Sequence, residues 1–178
     1  MIHCAALLRG INVGGHKPVP MAALREAFAA LGCEAVRTYI QSGNVVFRIA
    51  DGEQQGIAAT AERELSRVFG MDIAVVVRTG AELGEIVANQ PFGGQNVDEA
   101  RLGVVFLSDA PSAERAARLD PARSPPDQFV LAAREVFLHC PNGFGRSKLT
   151  VDWFERQLGV QATTRNWRTV LTLAEWTR

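Results

Sequence analysis

The sequence lacks a long apolar run and has few cysteines. No stretch approaches the ~18 consecutive apolar residues of a membrane-spanning helix, and no basic segment with a cleavable apolar stretch follows Met1. The three cysteines, Cys4, Cys33 and Cys140, are odd in number and have no C-x-x-C spacing. They lie in or beside apolar strand-like runs, which predicts buried, reduced thiols. We therefore expect a cytoplasmic protein that does not bind membranes.

Candidate metal ligands and catalytic groups are also scarce. His3-Cys4 and His139-Cys140 fall in strand-like runs, where neighbouring side chains point to opposite faces, so neither pair chelates one ion as a unit. The sequence has no Walker A motif, dinucleotide fingerprint or nucleophile elbow. His16 is the one histidine placed in a loop. The sequence thus predicts no metal and no cofactor, and it leaves open whether the protein is an enzyme.

Acidic residues are absent from four segments of a chain whose formal net charge is zero. Residues 8–17, 36–47, 139–151 and 161–171 total 46 positions with seven basic residues and no Asp or Glu, whereas the other 132 positions hold twelve basic and nineteen acidic residues. Zero net charge gives no general attraction to nucleic acid. The local asymmetry favours binding of a small anion at these four segments.

The periodicity of apolar residues predicts an α+β protein in which one order of elements occurs twice. The first unit has strands at 2–9, 35–40, 44–50 and 72–78, with helices at 20–31 and 54–69. The second has strands at 102–107, 128–132, 135–140 and 160–164, with helices at 112–119, 149–158 and 166–176. Both read as β-α-β-β-α-β, the ferredoxin-like order. We predict two tandem ferredoxin-like subdomains, at 1–79 and 101–178, joined by a connector at 80–100 that contains a short helix.

The predicted topology brings polar residues to shared sheet edges. In the first subdomain the loop after strand one meets the turn after strand two; in the second, the loop after strand three meets the end of strand four. Glycines, helix N-termini and basic side chains suit these loops to anions. We expect a ligand in a groove between the two subdomains, with candidate binding residues Arg9, Asn12, Lys17, Tyr39, Ser42, Asn44, Ser147, Lys148, Arg165 and Asn166.

Each of these residues also has a plain structural interpretation. Asn12 can bond its own backbone, and the single tyrosine, Tyr39, is more typical of half-buried packing. Arg165 is expected in a polar turn, where it bonds either a ligand or a neighbouring carbonyl. Asn166 is a candidate cap for the last helix, and Trp167 a candidate core anchor.

Several strings resemble the bacterial domain-of-unknown-function 1697 family. These are Ala6 to Gly15 (ALLRGINVGG), Arg37 to Phe47 (RTYIQSGNVVF), Pro141-Asn142-Gly143 with Arg146 to Leu149, and Thr163 to Trp167. The resemblance implies two ferredoxin-like subdomains in tandem, and it implies no particular activity.

Three functions remain open at this point. The favoured one is binding of a small phosphate- or carboxylate-bearing ligand. The second is a rigid module that binds an unknown protein partner. The third, less favoured, is single-stranded nucleic-acid binding, because Tyr39, Phe47 and Phe137 are the only candidates for the exposed strand aromatics that RNA-binding sheets of this topology use.

Overall fold

The structure, a computed structural model, describes residues 1–94 and 96–178. The chain divides into two compact units. Unit 1 comprises Met1–Gly84 and Leu173–Arg178, and unit 2 comprises Glu85–Thr172. The predicted connector at 80–100 therefore has residues in both units, and its position 95 lies outside the described residues.

Unit 1 is a four-stranded antiparallel sheet with helices. The strands lie in the order β2-β3-β1-β4, and every neighbouring pair is antiparallel. The elements are β1 (Ile2–Leu8), α1 (Met21–Ala30), β2 (Glu34–Tyr39), β3 (Asn44–Ile49), α2 (Ile57–Phe69), β4 (Val75–Thr79) and the start of α3 (Gly80–Ala88).

The core of unit 1 lies between the sheet and helices α1 and α2. Alternate residues of β1 face these helices, because side chains on a strand alternate between its two faces. In α2, Ile57, Ala61 and Leu65 recur at a spacing of four and form the buried stripe of the helix. The core cluster includes Cys4, Ala6, Leu8, Leu24, Phe28, Val45, Phe47, Ile57, Ala61 and Leu65.

Unit 2 contains a second four-stranded antiparallel sheet, in the order β6-β7-β5-β8. Its elements are β5 (Leu102–Leu107), α4 (Ala113–Ala116), β6 (Gln128–Ala132), β7 (Glu135–His139), α5 (Val151–Leu158), β8 (Ala162–Asn166) and α6 (Trp167–Trp176), of which the last four residues belong to unit 1. Trp153 and Phe154 of α5 pack with Val105, Leu107 and Leu138 in its core.

Two predictions for unit 2 are wrong in detail. The helix expected at 112–119 is the single turn α4, capped by the Ser112 hydroxyl, which accepts a hydrogen bond from the Arg115 N–H at 3.2 Å. Pro121 and the pair Pro125-Pro126 follow, and proline does not continue a helix. The strand expected at 160–164 is shifted to Ala162–Asn166, so Arg165 lies in a strand and not in a polar turn.

The described residues form an α+β protein with two four-stranded antiparallel sheets and six α-helices. None of these helices combines the length and the apolar character needed to cross a membrane. Trp167, the first residue of α6, is buried, as expected of a core anchor.

Candidate functional site

In unit 1, the loop after β1 and the turn after β2 meet at one edge of the sheet, as predicted. The Asn12 side-chain amide donates to the Gln41 carbonyl at 2.8 Å. The Leu8 N–H donates to the Gly43 carbonyl, also at 2.8 Å. The shared edge follows from the topology, because β1 and β2 are both antiparallel to β3 and therefore end at the same side.

The asparagines at this edge hold the chain together. The Asn12 amide bonds both backbone groups of Val19, accepting from its N–H at 2.7 Å and donating to its carbonyl at 3.0 Å. Asn44 is fully buried, and its amide donates to the Tyr39 carbonyl at 3.0 Å and to the Ser42 hydroxyl at 3.0 Å. These contacts are those of the structural interpretation.

The basic and aromatic candidates of unit 1 also have partners within the unit. The Lys17 ammonium donates to the Asp72 carbonyl at 2.7 Å. The Arg37 guanidinium lies over the Trp176 ring at 3.8 Å, and half-buried Tyr39 meets the same ring edge-on with centroids 5.4 Å apart. Arg9 is half-buried and has an interaction of its own. These contacts hold Lys17, Arg37 and Tyr39 within unit 1.

Unit 2 has a pocket of about 230 Å³ at the sheet edge where the loop after β7 meets the end of β8. Its lining changes character with depth. Leu138 and Leu149 are buried at the bottom, Phe144, Val151 and Thr164 are half-buried at the sides, and Thr150 and Asn166 are exposed at the mouth. No acidic or basic side chain lines it. The pocket thus has an apolar floor and a polar rim.

The polar groups of this rim have donors to spare. The side-chain Oδ1 of Asn166 accepts from the Thr169 N–H at 2.8 Å, which caps α6 as predicted. The two N–H groups of the Asn166 side-chain amide remain available to a ligand. The Thr150 hydroxyl caps α5 by accepting from the Trp153 N–H at 3.2 Å, so its proton is free to donate outward. The Thr164 hydroxyl has no partner among the described residues.

Three exposed cations flank the pocket in sequence. Arg146 and Lys148 belong to the loop before α5, and Arg168 lies in the first turn of α6. Within the described chain, none of their side chains forms an ion pair or hydrogen bond. One acid, Asp152, lies in the first turn of α5, exposed and outside the lining.

Two other predicted site residues in unit 2, Ser147 and Arg165, do not line the pocket. The Ser147 hydroxyl accepts from the Leu149 N–H at 3.0 Å and is hydrogen-bonded to the Cys140 thiol. Arg165 is only 7% exposed and donates to the Thr163 hydroxyl at 2.7 Å and to the Thr164 carbonyl at 2.8 Å. Burial lowers the pKa of its guanidinium to about 10. Because Thr164 and Asn166 line the pocket, Arg165 between them faces the other side of the sheet.

A buried arginine occupies the same position in the last strand of each unit. Arg78, the fourth residue of β4, is 1% exposed and donates to the carbonyl of the residue before it, Val77, at 2.9 Å. Arg165, the fourth residue of β8, bonds Thr164 in the same way. This equivalence supports an internal duplication and an architectural role for both arginines.

The three cysteines are free and buried, as predicted. Burial raises the pKa of the Cys4 and Cys33 thiols to about 11 in each case, and it raises that of Cys140. Since the thiolate is the nucleophile, very little of any of the three is reactive near neutral pH.

We therefore expect slow modification of the native protein by a thiol reagent such as DTNB at pH 8. Less than one thiol per chain should react within minutes, whereas three should react in guanidinium chloride. The absorbance of released thionitrobenzoate measures both. Fast titration of one or more thiols in the native protein would contradict the burial described above.

The described residues offer little support for metal binding or for base stacking. No group of three or more possible metal-ligating side chains is found among the described residues. Phe47 and Phe137 are buried and Tyr39 packs on Trp176, so none of the three candidate aromatics offers an open face for base stacking. His16 is exposed in the loop after β1.

Sequence reasoning missed five pocket residues as binding candidates: Leu138, Phe144, Leu149, Val151 and Thr164. Thr150 was missed as well, although its signal was present. A threonine followed by Val151-Asp152-Trp153 is a typical helix N-cap, with an acid in the first turn.

Comparison with known proteins gives the family of the chain. The family model described as "Protein of unknown function (DUF1697)" matches residues 1–137, and the chain belongs to this family. All seven residues that line the pocket lie beyond the matched range. No curated protein matches the sequence.

A solved structure is similar over nearly the whole length. It is described as that of the conserved bacterial protein SP0830 from Streptococcus pneumoniae, and it is 22% identical to this chain. The likeness covers 99% of this chain and 98% of that one, with a TM-score of 0.77. At this identity the comparison shows a shared fold.

Proposed function

We propose that unit 2 binds a small anionic ligand, with a carboxylate or a phosphate group, in the pocket between the loop after β7 and the end of β8. The observation that carries the proposal is the set of unused donors at the pocket rim. The Asn166 amide nitrogen and the hydroxyls of Thr150 and Thr164 all have protons to donate, and no carboxylate lines the pocket. A rim of donors with no acid in the lining is complementary to an anion.

Two helix N-termini add to this preference. Thr150 caps α5 and Asn166 caps α6, and both residues line the pocket. The first N–H groups of a helix have no partner inside it, and the helix dipole makes this end partly positive. A ligand anion at the rim would therefore lie near the favourable end of both helices.

The exposed cations contribute at longer range. Arg146, Lys148 and Arg168 are not part of the lining, so they act through the local potential and raise the rate of encounter more than they form fixed contacts. Screening by salt reduces such an effect. We therefore expect binding that is tightest at low ionic strength.

The pocket is better suited to binding than to general acid–base chemistry. Neither a histidine nor a carboxylate nor a cysteine lines it, so no group there has a pKa near neutrality. Turnover would have to depend on the electrostatic contribution of the rim donors alone.

Binding is testable by a thermal-shift screen at low salt with phosphate, small carboxylates, sugar phosphates, nucleotides and short oligonucleotides. A ligand at ~100 times its dissociation constant stabilises the native state by about 2.7 kcal/mol, which for this length raises the midpoint by roughly 5–10 °C. The T164V variant, which keeps the shape of the side chain and removes its donor, should lose most of the shift. The K148A/R168A double variant should reduce the shift at low salt, where the local potential is least screened.

The matched control is R156A, which removes an exposed arginine near the other end of α5. It should retain the full shift. A shift that survives T164V and K148A/R168A would place the ligand elsewhere, and a response to oligonucleotides alone would favour the nucleic-acid alternative.

We also propose that each unit is ferredoxin-like. The elements of unit 1 follow the order β-α-β-β-α-β, with β1 and β3 at the centre of the sheet. Unit 2 repeats this order, with β5 and β7 at the centre. A helix follows the last strand of each unit, which extends the repeated pattern to α3 and α6.

A further inference from the structure

We infer that the ligand of the unit 2 pocket is an amphiphilic anion, a carboxylate or phosphate monoester on a compact apolar body such as a single ring. This inference rests on the proposed function and names its ligand class. It follows from the depth profile of the pocket and from one glycine in the central strand.

The depth profile gives the orientation of the ligand. The two buried residues, Leu138 and Leu149, offer only apolar atoms, and the half-buried ring of Phe144 stands beside them. All the free donors belong to Thr150, Thr164 and Asn166, at the sides and the mouth. The anionic group therefore lies outward, and the apolar part of the ligand lies on the leucines.

Gly103 makes room for one wall of the pocket. It pairs with Leu138 on one side and with Asn166 on the other, and residues directly opposite in a sheet point to the same face. Any side chain at 103 would thus stand on the pocket side of β5, between two residues of the lining. Glycine in the interior of a strand weakens it and often marks a close approach of another group.

The group that approaches Gly103 is Phe144. A β-carbon at position 103 would lie 3.1 and 3.2 Å from two atoms of the Phe144 ring, and 3.2 Å from the Arg165 carbonyl oxygen. Only glycine lets the ring lie this close to β5. The ring then forms one wall of the pocket, and it can lie there because position 103 has no side chain.

The volume of the pocket is large enough for a ligand with a single ring. An apolar protein cavity of about 150 Å³ accommodates benzene, and this pocket has about 230 Å³. The difference leaves room for a carboxylate at the rim. Inorganic phosphate or acetate would leave the leucines in contact with water, whereas a neutral hydrocarbon would leave the donors unused.

The test measures the affinity of the whole protein for benzoate, cyclohexanecarboxylate, acetate and inorganic phosphate by isothermal titration calorimetry at low salt. We expect the two ring carboxylates to bind at least tenfold more tightly than acetate or phosphate. G103A should weaken benzoate tenfold or more, because the new methyl group displaces Phe144 into the pocket. It should change acetate binding by less than twofold.

The matched control is G145A, since a β-carbon at Gly145 meets no atom within 4 Å and the loop backbone there is ordinary. It should bind benzoate like the original protein. A second variant, F144L, enlarges the pocket and should shift the preference from benzoate toward a larger aryl carboxylate such as 2-naphthoate. This variant decides the question if G103A does not fold.

The outcomes separate the inference from the proposed function. Acetate and phosphate that bind as tightly as benzoate would overturn the ligand class and leave anion binding in place. Ring carboxylates that bind well but respond to neither G103A nor F144L would overturn the role of Gly103 and Phe144. If none of the four anions binds, the inference fails, and a thermal-shift screen without a hit would overturn the proposed function as well.

Discussion

Replacement of Gly80 by alanine is expected to destabilise unit 1 by about 3 kcal/mol or more. A β-carbon at this position would collide with the carbonyl group of Thr177, whose side-chain carbon is also only 3.2 Å away. Overpacking of a core costs about 1–3 kcal/mol when flexible side chains can adjust. A backbone carbonyl cannot rotate away. We expect the thermal midpoint to fall by roughly 6–12 °C, as measured by differential scanning calorimetry.

Gly84→Ala, one turn later in the same helix, is the matched control. No atom lies within 4 Å of a β-carbon there, and alanine is favoured over glycine inside a helix by about 1 kcal/mol. G84A should therefore be neutral or slightly stabilising. Equal midpoints for G80A and G84A would mean that Thr177 does not pack against the start of α3 in solution.

Gly43→Ala is expected to have the second large effect, also about 3 kcal/mol. Gly43 has φ = +83°, and a β-carbon there would lie 2.8 Å from the Leu8 β-carbon and 3.0 Å from two atoms of Ile11. The left-handed conformation alone costs a non-glycine residue roughly 1–2 kcal/mol. The collision with Leu8 adds to this, because a β-carbon moves only with its backbone. Denaturant unfolding followed by circular dichroism measures the loss.

Gly10→Ala separates these two contributions. Gly10 has φ = +66° and no atom within 4 Å of its would-be β-carbon, so G10A should show the conformational cost without the collision. We expect it to lose about 1 kcal/mol. If G43A is no worse than G10A, the turn after β2 is able to move away from β1, and the edge described above is less rigid than its hydrogen bonds indicate.

Most of the fold could be predicted because its elements carry local signals. The β1 run, the spacing of four in α2, and the glycines that end α1 and α2 are all visible within windows of ten to fifteen residues. The meeting of the loop after β1 with the turn after β2, at Asn12 and Gln41, was predicted from the strand topology alone. The helix at 112–119 was overestimated because its apolar spacing continues past Ala116, whereas the chain turns there before the prolines.

The candidate site could be predicted only in part. Asn166, which lines the pocket, was a candidate because a polar residue before an apolar helix is a local signal. Lys148, which lies outside the lining, was a candidate because acidic residues are absent around it. Arg165 was assigned to a turn because the last strand was expected to end at residue 164. The strand extends to Asn166, so Arg165 lies within it. The pocket itself depends on Gly103 lying between Leu138 and Asn166, which are 35 and 63 positions further along the chain. No local pattern in the sequence shows such a neighbourhood.

The division of the chain between the two units has a consequence for biosynthesis. Residues 173–178 belong to unit 1, where Trp176 contacts Arg37 and Tyr39 and Thr177 packs against Gly80. A ribosome makes this segment only after all of unit 2 has been translated. Unit 1 therefore gains its last six residues only after the whole of unit 2 has been made, although its own sheet was synthesised first.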